Sequence, residues 1–138
     1  PPKSWSRFWK LRLTPSARNT WFRLIHHKWP DLTRLHYFMP HQFPSTQCQY
    51  CLAPLQDTKH LALLCPSRAE VWSTVWTTVI PNHDLDLDSL WIALLHLRPP
   101  PASFNVPLSF WHQFLGITLH AIWTAHWNKI FHNVPFSP

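Results

Sequence analysis

Glycine is almost missing from this chain, with Gly116 the only one in 138 residues. No glycine-rich loop can cradle a phosphate, and there is no nucleophile elbow. Acid is scarce as well: Asp31, Asp57, Glu70, Asp84, Asp86 and Asp88 are the whole supply. Only the last three lie close enough to pair, and their place before a helix suits capping better than acid–base chemistry, with a divalent cation as the competing use. Cysteine stops at three, an odd number that argues against a disulfide framework, and the chain shows no signal peptide. A reducing compartment is expected, with nucleus and cytoplasm not distinguished. The apolar stretch from Leu108 to Trp127 is broken by His112, Gln113, His120 and His126, so no membrane-spanning helix is expected. The chain begins at Pro1 and not at Met, which raises the expectation that it is a piece of a longer polypeptide.

What is present is apolar and aromatic. Hydrophobic residues make up 46% of the chain, with ten Trp and nine Phe, which excludes an intrinsically disordered tail. Fifteen prolines punctuate the apolar runs and period-two alternation is rare. An all-α domain of about five to six helices follows, clipped by one metal site. Residues 1–80 are read as a basic helical segment carrying the metal module and residues 81–138 as a helical extension packing on it, in one domain overall.

Trp5, Phe8, Trp9 and Leu13 predict a short first helix. Thr14-Pro15 is a start signal for a second, which should end before Pro30, and Leu32, Leu35 and Phe38 suggest a short third. Asp57 or Thr58 can cap a turn carrying His60 that must stop near Cys65, because Pro66 follows. Pro66 opens a helix to Val79. Asp88 is the expected cap for Leu90 to Leu97, and Arg98 to Pro107 reads as a polyproline-like connector. The longest helix should run from Pro107 to about His132 with Trp111, Leu115, Leu119, Ile122, Trp123, Trp127 and Ile130 along one side. Gly116 within it suggests a close helix crossing. The tryptophans are core residues first, with one or two available to stack on bases.

The formal charge of +6 is unevenly spread. Lys3, Arg7, Lys10, Arg12, Arg18, Arg23, Lys28 and Arg34 face only Asp31 in the opening segment. Such a segment is either a solvated face or the footprint of a polyanion, nucleic acid before an anionic membrane. Lys10, Arg12, Arg18, Arg23, Lys28 and Arg34 are the candidate phosphate contacts. His26 and His27 beside them are ordinary helix histidines or further base contacts.

All three cysteines fall in one window with a histidine: Cys48, Cys51, His60 and Cys65, spaced C-x2-C-x8-H-x4-C. Thiolates with one imidazole and no carboxylate are the donor set of a closed, structural zinc site. On a regular α-helix His60 and Cys65 would point about 140° apart, so the helix must end or unwind between them. A redox dithiol at Cys48 and Cys51, three buried free cysteines, or His41 or His83 in place of His60 remain the alternatives.

With these residues in place, the chain resembles the reverse transcriptase zinc-binding domain of non-LTR retrotransposon polyproteins. The resemblance covers about Trp9 to Trp72: Trp9-Lys10 leading to Pro15, the aromatic-basic stretch Trp21 to Leu24, Pro30 and Leu35, Cys48 and Cys51, Asp57 three before His60-Leu61, Cys65-Pro66, and Trp72. Ile122-Trp123 and Asn128-Lys129-Ile130-Phe131 are similar to the closing helix of many members. The family often has glycine after the second cysteine, where this chain has Leu52. The chain carries no paired polymerase aspartates and no nuclease motif. The resemblance implies a non-enzymatic accessory domain that binds Zn2+, has a reverse transcriptase domain upstream, and helps hold RNA or target DNA without sequence preference. A zinc-stabilised protein-interaction module, or an inactive element remnant, is the alternative.

Overall fold

Prolines and short polar side chains start the helices. The computed structural model describes residue 6 and residues 8–132. Phe8 and Trp9 are helical and the chain turns at Lys10, so this helical stretch ends before Leu13, where the apolar spacing would carry it; Lys3, Trp5 and Arg7 lie outside the described residues. Helix α1 spans Pro15–Ile25, with Thr14 accepting from the Ala17 N–H at 3.1 Å and Pro15 in the first turn. Helix α2 is Leu32–Phe38, capped by Asp31. After a loop through the cysteines, a π-helical turn covers His60–Leu64, followed at once by α3, Pro66–Val79. Helix α4 is Leu87–His96. A 3-10 turn at Ala102–Phe104 interrupts the proline connector, and α5 runs over Leu108–His132. The architecture is all-helical, with no strand among the described residues.

The cap of α4 is Asp86, which accepts from the Asp88 N–H and the Ser89 hydroxyl. Asp88, the expected cap, sits in the first turn and pairs instead with Lys59 at 3.0 Å. With no glycine to spare, the chain places His27 and Leu97 in the left-handed region just beyond α1 and α4. Lys28 N–H then donates to the Arg23 carbonyl at 2.7 Å and Arg98 N–H to Ala93 at 3.1 Å, closing both helix ends in the way glycine usually allows. Gly116 serves something else. A Cβ there would stand 2.8 Å from Cδ2 of Leu13, so the close neighbour is a side chain from the loop before α1 and not a crossing helix.

Helix α1 packs chiefly on α5, and the π turn lies against α3, α4 and α5. One apolar core joins Trp21, Leu24, Leu61, Leu63, Trp72, Leu94, Leu115 and Leu119, all fully buried. The tryptophans fill this core and brace it. Each buried indole N–H donates to a backbone carbonyl: Trp21 to Leu94, Trp29 to Thr20, Trp72 to Ala62, Trp76 to His83 and Trp111 to Arg98, all at 2.8–3.0 Å. On α5 the buried line is Trp111, Phe114, Leu115, Leu119, Ile122 and His126. Trp127, expected on that line, is 40% exposed: the α-helical repeat carries the line from Leu119 and Ile122 on to His126 and leaves Trp127 to its side. No described helix is long and apolar enough to cross a membrane.

Candidate metal centre

Cys48, Cys51, His60 and Cys65 each bring one ligand atom to within 4.8 Å of the others. Sγ of Cys48 is 3.9 Å from Sγ of Cys65, and Sγ of Cys51 is 3.2 Å from Nε2 of His60. Around a tetrahedral ion with metal–sulfur bonds of about 2.3 Å, two sulfurs stand about 3.8 Å apart and a sulfur and a nitrogen about 3.5 Å. The cluster is therefore close to the size a single ion requires. Neither His41 nor His83 belongs to it; His83 instead meets the Ser103 carbonyl.

The obstacle posed by the spacing of His60 and Cys65 is solved by widening the helix. Asp57 caps the turn through the His60 N–H at 2.8 Å, and the Cys65 N–H donates to the His60 carbonyl at 2.9 Å, five residues back. A π turn makes positions five apart neighbours, whereas an α turn would separate them. Pro66, which has no N–H to extend the ladder, ends the turn and opens α3. Of the four residues between the two ligands, Leu61, Ala62 and Leu63 are fully buried and only Leu64 is exposed, so most of this ligand-bearing turn is a piece of the core.

The other two ligands sit on a tight loop. Leu52 N–H donates to the Cys48 carbonyl and Cys48 N–H to Ala53, with Leu52 at φ 66°, in the left-handed region. The Tyr50 N–H and the Gln56 side-chain amide both donate to the Cys48 sulfur at 3.4 Å. The Ser67 hydroxyl meets the Cys65 sulfur at 3.3 Å. Such donors stabilise thiolates. Without a metal, the contact with Cys65, and then the Cys51 backbone, Gln56 and Tyr50, hold the Cys48 thiol well below its ordinary value. The same contact and burial push Cys65 up. The pair thus retains a proton that a bound cation must displace.

Four residues around the cluster carry no signal in the sequence that assigns them to it. Gln56 is fully buried, accepts from the Leu32 N–H at 2.9 Å through its side chain and from Thr33 through its carbonyl, and so fastens α2 to the cysteine loop. Asp31 adds a second fastening by accepting from the Thr58 hydroxyl at 2.7 Å, although burial raises its carboxyl above the ordinary range. Arg68 is fully buried, with its guanidinium over the Tyr50 ring and bonded to the Ser67 hydroxyl at 2.9 Å. His126 reaches in from α5, its Nε2 on the Pro30 carbonyl at 2.9 Å and its Nδ1 facing the Tyr50 hydroxyl at 3.4 Å. Nε2 must carry the proton, since a carbonyl only accepts, and the ring is neutral. Burial, assisted by the Arg68 charge, lowers its pKa to about 4.

The six basic residues singled out from the sequence divide by what their side chains do. Arg18 is structural, donating to the Leu11 and Leu13 carbonyls. Arg23 lies over the Trp123 ring at 5.6 Å. Arg34 donates to the His27 carbonyl at 2.7 Å and covers Phe38. Lys10, Arg12 and Lys28 are exposed. No family model matches the chain, and no curated protein or solved structure is significantly similar to it.

Proposed function

We propose that the chain is a non-catalytic module in which Cys48, Cys51, His60 and Cys65 hold a structural zinc ion, and that it serves as a nucleic-acid-binding accessory domain of a reverse transcriptase. The observation that carries the zinc reading is the convergence of the four ligand atoms within 4.8 Å across a π turn. Four soft and borderline donors with no carboxylate leave zinc no open position for substrate, which is the pattern of sites that stabilise folds. The reverse transcriptase context rests on the ligand spacing and flanking aromatics described above, and the nucleic-acid partner on the basic segment before Cys48. Binding of that kind is sequence-tolerant and falls steeply with salt.

Zinc-loaded protein should contain one equivalent of zinc by elemental analysis, and removing it with a chelator should abolish the cooperative thermal transition, since the ligand turn lies in the core. An unchanged melt after confirmed metal loss would sink the structural role. Filter binding across a salt series tests the partner. An affinity that does not change between 50 and 200 mM salt, roughly the range over which phosphate contacts lose most of their strength, would count against nucleic acid. Exposed Tyr37, Phe38 and Met39 at the end of α2 favour a second reading, a contact with another protein. Charge reversal separates the two when made at Arg23 and Lys28. Arg18 is unsuitable because it holds the Leu11–Leu13 loop.

A further inference from the structure

All six acidic residues lie between Asp31 and Asp88. The layer formed by α1 and α5, together with the loops at residues 10–13 and 26–30, therefore contains no carboxylate, while it carries Lys10, Arg12, Arg18, Arg23, Lys28 and Lys129. Three cations gather at the C-terminal end of α1. The Lys28 backbone is bonded to the Arg23 carbonyl and the Arg34 guanidinium to the His27 carbonyl. Beside them α5 sets out a run of rings. Trp123 lies under Arg23, Trp127 stacks on Trp123 with 5.8 Å between centroids and 25° between planes, and Phe131 follows at 4.4 Å. Trp127 and Phe131 are each 40% exposed, and Arg23, Trp123, Thr124 and Trp127 line an open groove of about 270 Å³.

We propose that this groove is a stacking platform for single-stranded nucleic acid, with Trp127 and Phe131 receiving bases and Arg23, Lys28 and Arg34 meeting the adjoining phosphates. It rests on the nucleic-acid reading above and gives it a location and a strand preference. Bases in a duplex have no free face to offer an aromatic ring, whereas unpaired bases do, and stacking of this kind tolerates any sequence. The layer of α1 and α5 offers no carboxylate to repel a polyanion, and Asp31, which caps α2 beside Arg34, is buried and bonded to the Arg34 N–H and the Thr58 hydroxyl.

The test uses the whole zinc-loaded chain with fluorescein-labelled oligo(dT) and oligo(U) of about 12 nucleotides, a length within the range of single-strand sites, and a duplex of equal length. The unaltered protein should prefer the single strands. Trp127→Ala combined with Phe131→Ala should weaken single-strand binding about tenfold or more and leave its salt slope unchanged. Lys28→Glu should weaken single-strand and duplex binding together and flatten the slope. All these side chains are partly exposed, and an unchanged melting temperature and zinc content confirm that the variants are folded. Binding that persists undiminished in the aromatic double variant overturns the platform and leaves nucleic-acid binding standing. Binding to none of the probes overturns both, as does exclusive binding to phosphatidylserine vesicles. Duplex preferred over single strand overturns the platform alone.

Discussion

The guanidinium carbon of Arg68 lies 3.6 Å from the centroid of the Tyr50 ring, and Tyr50 stands between the two cysteines of the C-x2-C pair. A cation is thus buried against the metal loop, one serine away from the Cys65 sulfur. Three thiolates and an imidazole around a divalent ion would leave one negative charge, and Arg68 is placed to offset it where water cannot.

Arg68→Met should therefore weaken zinc binding by about 10- to 100-fold, the range typical of groups that support metal ligands. Arg68→Lys, which keeps the charge but not the planar stacking, should recover part of the loss. Competition with a chromophoric chelator gives the affinity. Equal affinities for all three proteins would show that the charge is irrelevant to the metal.

Leu52 occupies a left-handed conformation with its side chain 66% exposed, so it suffers the steric cost and gains little burial in return. Leu52→Gly should stabilise the zinc-loaded protein by about 0.5–1 kcal/mol, and Leu52→Val should destabilise it. Urea denaturation measures both. Leu97 has a similar φ of 54° but packs against the core, so the same replacement there should destabilise.

His126 gives the stability a pH dependence of defined sign. Its pKa falls from 6.5 to about 4 on folding, so the unfolded chain takes up the proton first. The contribution is complete above pH 6.5 and is lost as pH falls towards 4, about 3 kcal/mol in all. His126→Gln, which can still donate to Pro30, lacks this loss. Acid would release zinc from both proteins alike, so the informative quantity is the stability difference between them. A difference that stays constant from neutral pH to about pH 4.5 would contradict the assignment.

Gln56 is the joint between α2 and Cys48. Gln56→Leu keeps most of the volume but strands the Leu32 N–H and removes a donor from the Cys48 sulfur. A loss of about 1–3 kcal/mol is expected, larger with zinc bound than without. Equal losses in the two states would confine Gln56 to packing.

The helices were legible because their starts are written in local chemistry: Thr14 with Pro15, Pro66 after Cys65. The ligand set was legible for a related reason, since all four residues fall in one short window. What escaped was whatever depends on partners distant in sequence. Nothing near Arg68 says it will be buried, because its site is made by Tyr50 and the metal loop. Trp127 reads as a core residue because it is large and apolar, whereas the α-helical repeat carries the buried line through Ile122 to His126, which meets Pro30 and Tyr50, and leaves Trp127 at its edge. The π turn itself is not legible in the sequence. The spacing asks only that the helix end or unwind between His60 and Cys65, with Pro66 as the reason to end; the chain widens the turn instead, which keeps Leu61 and Leu63 in the core.

Thr20 and His120 touch across a hundred residues of chain, at 3.0 Å. Helix α1 is made well before α5, and the face carrying Trp21 and Leu24 is fully covered only once α5 has left the ribosome. The four metal ligands, by contrast, are complete as soon as Cys65 is made. The topology thus separates a local cluster from the later closure of α1 on α5, and the interval between them is when this domain is most open to aggregation and to chaperones.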